Sequence, residues 1–527
     1  MNVIDTLNKA LKLFPHQEAI VGDNRRLTYQ QSGDRIKQLA NGLFHMGLRQ
    51  GDCLSVIAPN CLEFYEIYYA AAWVGVTVNP INIRLSGREI AYILNDAGTK
   101  LLFSHTRFAP AAREAVKNTR GIKDIVWIGP DATGEESKSV LSYEAFLTKS
   151  TGKSVKQNPV PDDQPAHLYY TSGTTGRPKG VILTHRNVTT HAMAAIAEFQ
   201  LSDDDVWFHV APMFHLADAW ATFAITWVGG RHVMLPEFEA GKAMKGIEKE
   251  KVTLSNLIPT MLNMMVNHEE VEKYDYSSLR LILSGGAPIA PETVRQIMEI
   301  FGCDYIQTYG LTETSPYVTV STLKSHLSLL PTEEQRAIIS RTGREFLSVA
   351  LKIVDKMGNE VPRDDESVGE VWVRGDTVTP GYWNRPEETA KAFQNGWFKT
   401  GDLAVIDQEG YINIVDRKKD MIVTGGENVF SNEVEYVLYE HPAVLECAII
   451  GVPHEKWGEA VRGVVVKRPG VDVTEEALIA FVKERIAHYK APKGIDFVQE
   501  LPKTGSGKIM KREIRGRYWE NTDRYVH

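Results

Sequence analysis

Tyr169-Tyr170-Thr171-Ser172-Gly173-Thr174-Thr175-Gly176-Arg177-Pro178-Lys179-Gly180-Val181-Ile182-Leu183-Thr184-His185 decides how this chain is read. A β-rich entry runs into alternating hydroxyls and glycines and leaves through a helical pattern. Such a loop can cradle phosphates. Glycines let backbone N–H groups approach an anion closely, the hydroxyls of Thr171, Ser172, Thr174 and Thr175 add donors, and Lys179 adds charge. The loop is not a Walker A, because no Gly-Lys-Ser/Thr stands at the required spacing. Gly, Ser and Thr also build ordinary surface turns, but the length and order of this run set it apart.

Outward from the loop, helical and extended stretches alternate. Gln30 to Met46 carries apolar residues at Ile36, Leu39, Leu43 and Met46, and Cys53 to Ala58 reads as a strand. Val206–Ala211, Arg231–Leu235, Leu279–Leu283 and Asp304–Gln307 repeat the β-then-α theme. This predicts two doubly wound α/β subdomains joined through the polar segment Lys149–Gln164. From about Leu351 to Val415 short alternating strands and Gly-rich turns predict a β-rich, barrel-like subdomain. Beyond Asp416 a small mobile α+β domain is expected, with Thr474 capping a helix that carries Leu478, Phe481, Val482, Ile486 and Tyr489 on one face. The predicted division is 1–418 and 419–527, with a hinge near 416–420.

Composition narrows the class. The 527 residues hold 59 Lys+Arg against 67 Asp+Glu, a net charge of −8, which argues against nucleic-acid binding by bulk charge. At 43% hydrophobic and 24% charged, the chain has the make-up of a folded protein. The scattered Cys53, Cys61, Cys303 and Cys447 suggest neither a zinc site nor a disulfide framework, so a reducing, cytoplasmic setting is expected. The longest apolar run, Ile67–Val76, is far short of the roughly 20 residues that span a membrane, and reads as a buried helix. No signal peptide, lipidation or peroxisomal address is recognised.

The hydroxyl-rich loop closely resembles the signature of the AMP-forming adenylate synthetases, the superfamily of acyl-CoA synthetases, firefly luciferases and peptide-synthetase adenylation domains. Six further stretches match in the family's order: Ser284–Pro288 (SGGAP), Tyr309–Thr314 (YGLTET), Phe398–Asp402 (FKTGD), Asp416–Asp420 (DRKKD), Gly425–Asn428 (GGEN) and Pro502–Lys508 (PKTGSGK). One match is ordinary; a full ordered set over nearly the whole chain is not.

The resemblance implies ATP, Mg²⁺ and coenzyme A as partners of a small carboxylic acid, and leaves room for a homodimer. Ser172, Gly173, Thr174, Thr175, Gly176 and Lys179 would hold phosphate. Glu313, with Thr171 beside it, would hold Mg²⁺, a hard ion suited to oxygen ligands. Tyr309 would lie against adenine, with Gly285, Gly286 and Ala287 opposite. Thr312 would bond the α-phosphate, and Gly310 would border both nucleotide and acyl group. Asp402, assisted by Arg417, would accept the ribose hydroxyls. Lys508, on a Gly/Ser-rich tip, would stabilise the crowded adenylation transition state. Rotation about Lys419 would then bring Gly425, Gly426 and Glu427 beside the thiol tunnel. Some relatives carry a lysine four residues past the hinge; Val423 stands here, so no role of that lysine carries over.

The acid is read from Pro212–Trp220 (PMFHLADAW). His215 is expected to line or orient the substrate carboxylate. Amino-acid adenylation domains place an Asp after this Phe, whereas His215 follows Phe214, which disfavours an α-amino acid. Trp220 lies near the position of a gating tryptophan in long-chain relatives, and Ala219, Ala221 and Ala224 would leave room for an apolar tail. Leu323–Ile339 also resembles that subgroup. The expectation is a medium- to long-chain fatty acyl-CoA synthetase, centred on medium chains. The alternatives are a ligase for a short sulfur-containing acid such as 3-methylmercaptopropionate or for an aryl acid, a carrier-loading enzyme, and a non-catalytic nucleotide-binding regulatory protein on the same fold. Joint retention of Thr171, Glu313, Asp402, Arg417 and Lys508 weighs against the last.

Overall fold

The strand Cys53–Ile57 is buried at every position, as a strand covered on both faces must be. In the computed structural model it lies at the middle of a seven-stranded sheet ordered Leu141–Ser142, Ile125–Ile128, Thr99–His105, Cys53–Ile57, Thr77–Pro80, Pro165–Thr171 and Lys179–Thr184. All neighbours are parallel except the last pair, which is antiparallel and flanks the hydroxyl-rich loop. The structure describes all residues except 23–24, 123–124, 131–140, 151–154, 158, 172–176, 287–288, 290, 455, 504–508 and 520–527.

A nine-stranded sheet carries the second α/β layer, with Val206–His209, Leu254–Asn256, Leu281–Gly285 and Asp304–Gly310 in parallel succession. Chain order does not anticipate its far edge. The N-terminal hairpin Glu18–Gly22 and Arg25–Thr28 crosses over and pairs parallel with Arg231–Met234. Between the sheets runs the helix Leu216–Val228, buried at nearly every position. It ends where Gly229 adopts φ 88°, a left-handed cap that glycine takes without strain.

The third unit is an antiparallel sheet of Ala350–Val354, Gly369–Arg374, Trp397–Ile406, Phe393–Gln394 and Ile412–Arg417. Its texture matches the alternating sequence. A fourth sheet is built from Glu427–Val429, Ile422–Thr424, Gly458–Lys467, Val444–His454 and Gly494–Phe497, with its own apolar core. The architecture is thus a large N-terminal α/β part with a β-rich unit and a C-terminal α+β part.

Two sequence expectations need correction. The helix after Thr474 spans Glu475–Lys483, so Ile486 and Tyr489 lie beyond it. A proline after Ala491 disfavours helix at that end. The segment Lys149–Gln164 does not join the two α/β subdomains, because the elements on either side of it, Leu141–Ser142 with its following helix and Pro165–Thr171, belong to the same seven-stranded sheet. It is tied down by Trp73 Nε1, which donates to Val155 O at 3.1 Å, and Asn2 Nδ2, which donates to Val160 O at 2.6 Å. Among the described residues, no helix is long and apolar enough to cross a membrane.

Candidate active site

Strand pairing alone assembles the first part of the site. Thr171 and Lys179 are register partners where the edge hairpin opens into its loop. Ser172, Gly173, Thr174, Thr175 and Gly176, expected to cradle phosphate, lie outside the described residues, as do Ala287 and Lys508. Lys179 pairs with Glu388, and its Nζ stands 5.1 Å from the Tyr382 ring centroid. Lys179 and Glu388, with Tyr92, Asp96, Arg177, Pro178 and Arg385, line a cleft of about 490 Å³.

Glu313 sits in the 3₁₀ turn Thr312–Thr314 that follows Gly310. Gly310 has no room for a side chain, because a Cβ would collide with the Pro316 carbonyl. The same holds at Gly285, which abuts Thr308, while Gly286 turns with φ 86°. The backbone of Glu313 is anchored by Thr379 N, 2.7 Å from its carbonyl oxygen. Its carboxylate accepts from Tyr382 Oη at 2.9 Å on Oε1. Burial pushes its pKa above the ordinary carboxylate value. Among the described residues no cation comes within ion-pairing distance of it. A half-buried carboxylate with one oxygen engaged by Tyr382 offers the hard oxygen that suits Mg²⁺, and Thr171, expected to join it, ends the strand paired with the one that packs against the Glu313 turn.

Asp402 occupies a different corner. It is almost fully buried and directly opposite Arg417 across adjacent antiparallel strands. Arg417 Nε lies 3.0 Å from Asp402 Oδ1, and Tyr309 Oη donates to Oδ2 at 2.6 Å. The neighbouring Asp402 charge holds the Arg417 guanidinium above its usual pKa. Thr400, Gly401, Asp402, Arg417, Lys418 and Lys419 enclose a pocket of about 300 Å³. The expected ribose pair and hinge residue therefore share one cavity. Partial desolvation beside this pocket holds the Lys419 ammonium below its usual pKa.

Around that hinge the C-terminal part grips the chain. Asp416 accepts from Ser431 N at 2.6 Å and Ser431 Oγ at 3.0 Å. Lys511 Nζ donates to Ser431 Oγ at 2.6 Å and pairs with Glu435 at 2.7 Å. Arg515 donates to the Lys419 carbonyl at 3.2 Å. Gly425 and Gly426, with φ 59° and 90°, form an exposed turn, and Glu427 begins the next strand.

At the expected acyl end, His215 stands at the N-cap position of the helix Leu216–Val228, with no capping bond from its side chain, and packs against Phe214 with ring centroids 4.7 Å apart. Trp220 is packed and bonded. It is 2% exposed and donates from Nε1 to both Tyr317 Oη and Ala217 O at 3.0 Å. Ala219, Ala221 and Ala224 are packed in the core. The helix lies between two sheets, and in its first turn Ala217 is exposed.

Sequence reading missed Tyr382 and Asp218. Tyr382 stands in the turn-rich run Thr379–Thr389 (TPGYWNRPEET), whose density of Gly, Pro and charge was the available signal. Asp218, wholly buried, accepts from Trp207 Nε1 at 3.3 Å and lies 2.5 Å from His209 Nδ1. His209 continues to His232 at 2.9 Å, and His232 to Thr226 at 3.0 Å.

Comparison with known proteins gives the class. The AMP-binding enzyme model matches residues 7–383, and the AMP-binding enzyme C-terminal domain model matches 433–508. A feruloyl-CoA synthase of Amycolatopsis sp is 35% identical over 96% of this chain and 97% of its own. The 4-hydroxybutyrate–CoA ligase 2 of Metallosphaera sedula is 37% identical over 97% and 93%. ATP-bound MatB from Rhodopseudomonas palustris superposes with a TM-score of 0.86 at 29% identity, covering 98% of this chain and 99% of its own. The chain belongs to the AMP-binding enzyme family, within the AMP-forming adenylate synthetase superfamily. It is an AMP-forming acid–CoA ligase.

Proposed function

We propose that this ligase activates a medium-chain fatty acid, or an acid of similar apolar build, as its acyl-adenylate and then transfers the acyl group to coenzyme A. The observation that carries the acid's character is the engagement of Asp218. It is the acidic residue at the start of the helix that follows His215, and Trp207 and His209 already occupy its carboxylate. An ammonium group on the substrate would find no free partner there, while apolar atoms would face Phe214 and the aromatic core. The buried alanines move the preferred length from long chains toward medium ones.

A second reading, an aryl acid, is favoured by one feature. Trp220, Tyr317, His191 and Phe346 form a cluster in which His191 and Tyr317 each pack against the other three, with ring centroids 5.2 to 5.7 Å apart, which suits a flat ring at their margin.

In the proposed reaction Asp402, with Arg417 and Tyr309 fixing its two oxygens, accepts the ribose hydroxyls and orients the nucleotide. Glu313 and Thr171 would hold Mg²⁺, which supplies positive charge to the phosphates. His215 would orient the substrate carboxylate toward the α-phosphate, and Lys508 would donate to the transition state. The two halves of the reaction would alternate by rotation of 419–527 on 1–418 about Lys419, in a cytoplasmic enzyme.

The test is AMP and pyrophosphate release with MgATP across acids from acetate to palmitate, with cinnamate and 3-methylmercaptopropionate, each with and without coenzyme A. CoA-dependent AMP formation peaking at six to twelve carbons, about the medium-chain range, supports the first reading. A peak at cinnamate replaces it with the second. Pyrophosphate release that coenzyme A does not stimulate would point to carrier loading.

A further inference from the structure

Tyr382 is held from several sides by a segment far from it in sequence. Ile182 N donates to Gly381 O at 3.1 Å, Trp383 N to Gly180 O at 2.7 Å, and Thr379 Oγ1 to Ile182 O at 2.6 Å. Val181 and Tyr382 form an isolated antiparallel bridge. The run 379–383 is thereby zipped onto the strand that leaves the hydroxyl-rich loop. Thr379 N also bonds the Glu313 carbonyl at 2.7 Å, so the same run fixes the Glu313 backbone. On one side of the Tyr382 ring stands Lys179 Nζ, 5.1 Å from the centroid. At its tip the hydroxyl donates to one oxygen of Glu313 at 2.9 Å. A carboxylate has no proton to give, so the phenol is the donor. The bond leaves Oε2 of Glu313 to be presented elsewhere.

We propose that Tyr382 is a positioning residue: its hydroxyl fixes Oε1 of Glu313 so that the other oxygen is aimed at the divalent cation carried by ATP. This rests on Glu313 being the metal ligand, as the family resemblance implies. A free Glu side chain turns about its terminal torsion and would spread its oxygens over many directions. Tyr382, locked to the strand that also bears Lys179, ties the carboxylate's orientation to the phosphate-facing edge. Partners that orient metal ligands in this way typically account for 10- to 100-fold in metal affinity.

The experiment measures Mn²⁺ binding to the full-length enzyme with a non-hydrolysable ATP analogue, read by electron paramagnetic resonance, alongside metal-free AMP binding by calorimetry. Tyr382→Phe is expected to weaken Mn²⁺ binding at least about tenfold and to leave AMP affinity and the KM for the acid unchanged. Retained AMP binding also reports a folded site. Glu313→Asp draws the carboxylate out of reach of the hydroxyl, so adding Tyr382→Phe to it should cost little more. Unchanged Mn²⁺ affinity in Tyr382→Phe, or full additivity of the two substitutions, overturns the positioning role. If Glu313→Gln itself leaves Mn²⁺ binding intact, the metal assignment fails, and the proposal falls for that separate reason.

Discussion

Asp402 and Arg417 are direct partners across neighbouring antiparallel strands, with Arg417 Nε 3.0 Å from Asp402 Oδ1 and the second oxygen taken by Tyr309. Two strands of one hairpin thus hold the acid rigid before nucleotide arrives. Hydrogen bonds to charged groups are worth about 1.5–3 kcal/mol. Asp402→Ala should therefore weaken AMP and ATP binding by roughly 10- to 150-fold, measured by calorimetry. Unchanged AMP affinity would remove Asp402 from the ribose site.

Lys508 is proposed for the adenylation half alone. Lys508→Ala should slow acyl-adenylate formation by about 10²–10³-fold while thioester formation from supplied acyl-adenylate stays close to wild type. Equal loss in both halves would contradict that division.

Gly426 offers the complementary test. A Cβ there meets open space, but its φ of 90° disfavours any side chain. Gly426→Trp should preserve adenylation and depress CoA-dependent turnover, with Gly426→Ala as the control for backbone strain. If both variants fall equally, strain rather than blockage is responsible.

Asp218 should matter to stability. Removing a buried acceptor leaves its donors unsatisfied, at about 1–3 kcal/mol. Asp218→Ala should lose about that much in chemical denaturation, and Asp218→Asn less, since an amide oxygen can still accept from Trp207. A loss below about 1 kcal/mol in the alanine variant would show that His209 and Trp207 find other partners.

Acidification should unfold the protein through its buried imidazoles. Burial pulls His167 and His191 down to about 3, and His185 to about 4, from 6.5. Below pH 6.5 the unfolded chain binds protons that the folded one refuses. Stability is then fully present above pH 6.5 and is lost as pH falls toward those folded values, by up to about 1.4 kcal/mol per group per pH unit. His191→Gln should flatten the fall in midpoint between pH 6.5 and 4.5 by one proton's share. An unaltered slope would mean that His191 is protonated in the folded state.

Much of this was legible where a residue's role is local. The buried helix around Ile67–Val76, the strand after Lys149–Gln164 and the β-rich run past Leu351 follow from periodicity and turn residues, and the structure forms all three. Asp402 and Arg417 could be paired because a short hairpin joins them. What escaped depends on distant partners. Nothing near Glu18 tells that it joins a sheet beside Arg231. Tyr382 gains meaning only when Glu313 is brought to its hydroxyl, 69 positions away in sequence. The alanines of Leu216–Val228 are equally suited to a channel or a close-packed core, and only the position of the second sheet decides.

That helix has a consequence for how such enzymes diversify. It begins at His215 and ends between two sheets, tied by Asp218 to His209 and by Trp220 to Tyr317. A change of side chain along it disturbs the fold before it can reshape a binding preference. Room to alter the acid accepted without cost to folding is therefore left at the helix's first turn, where Ala217 is exposed.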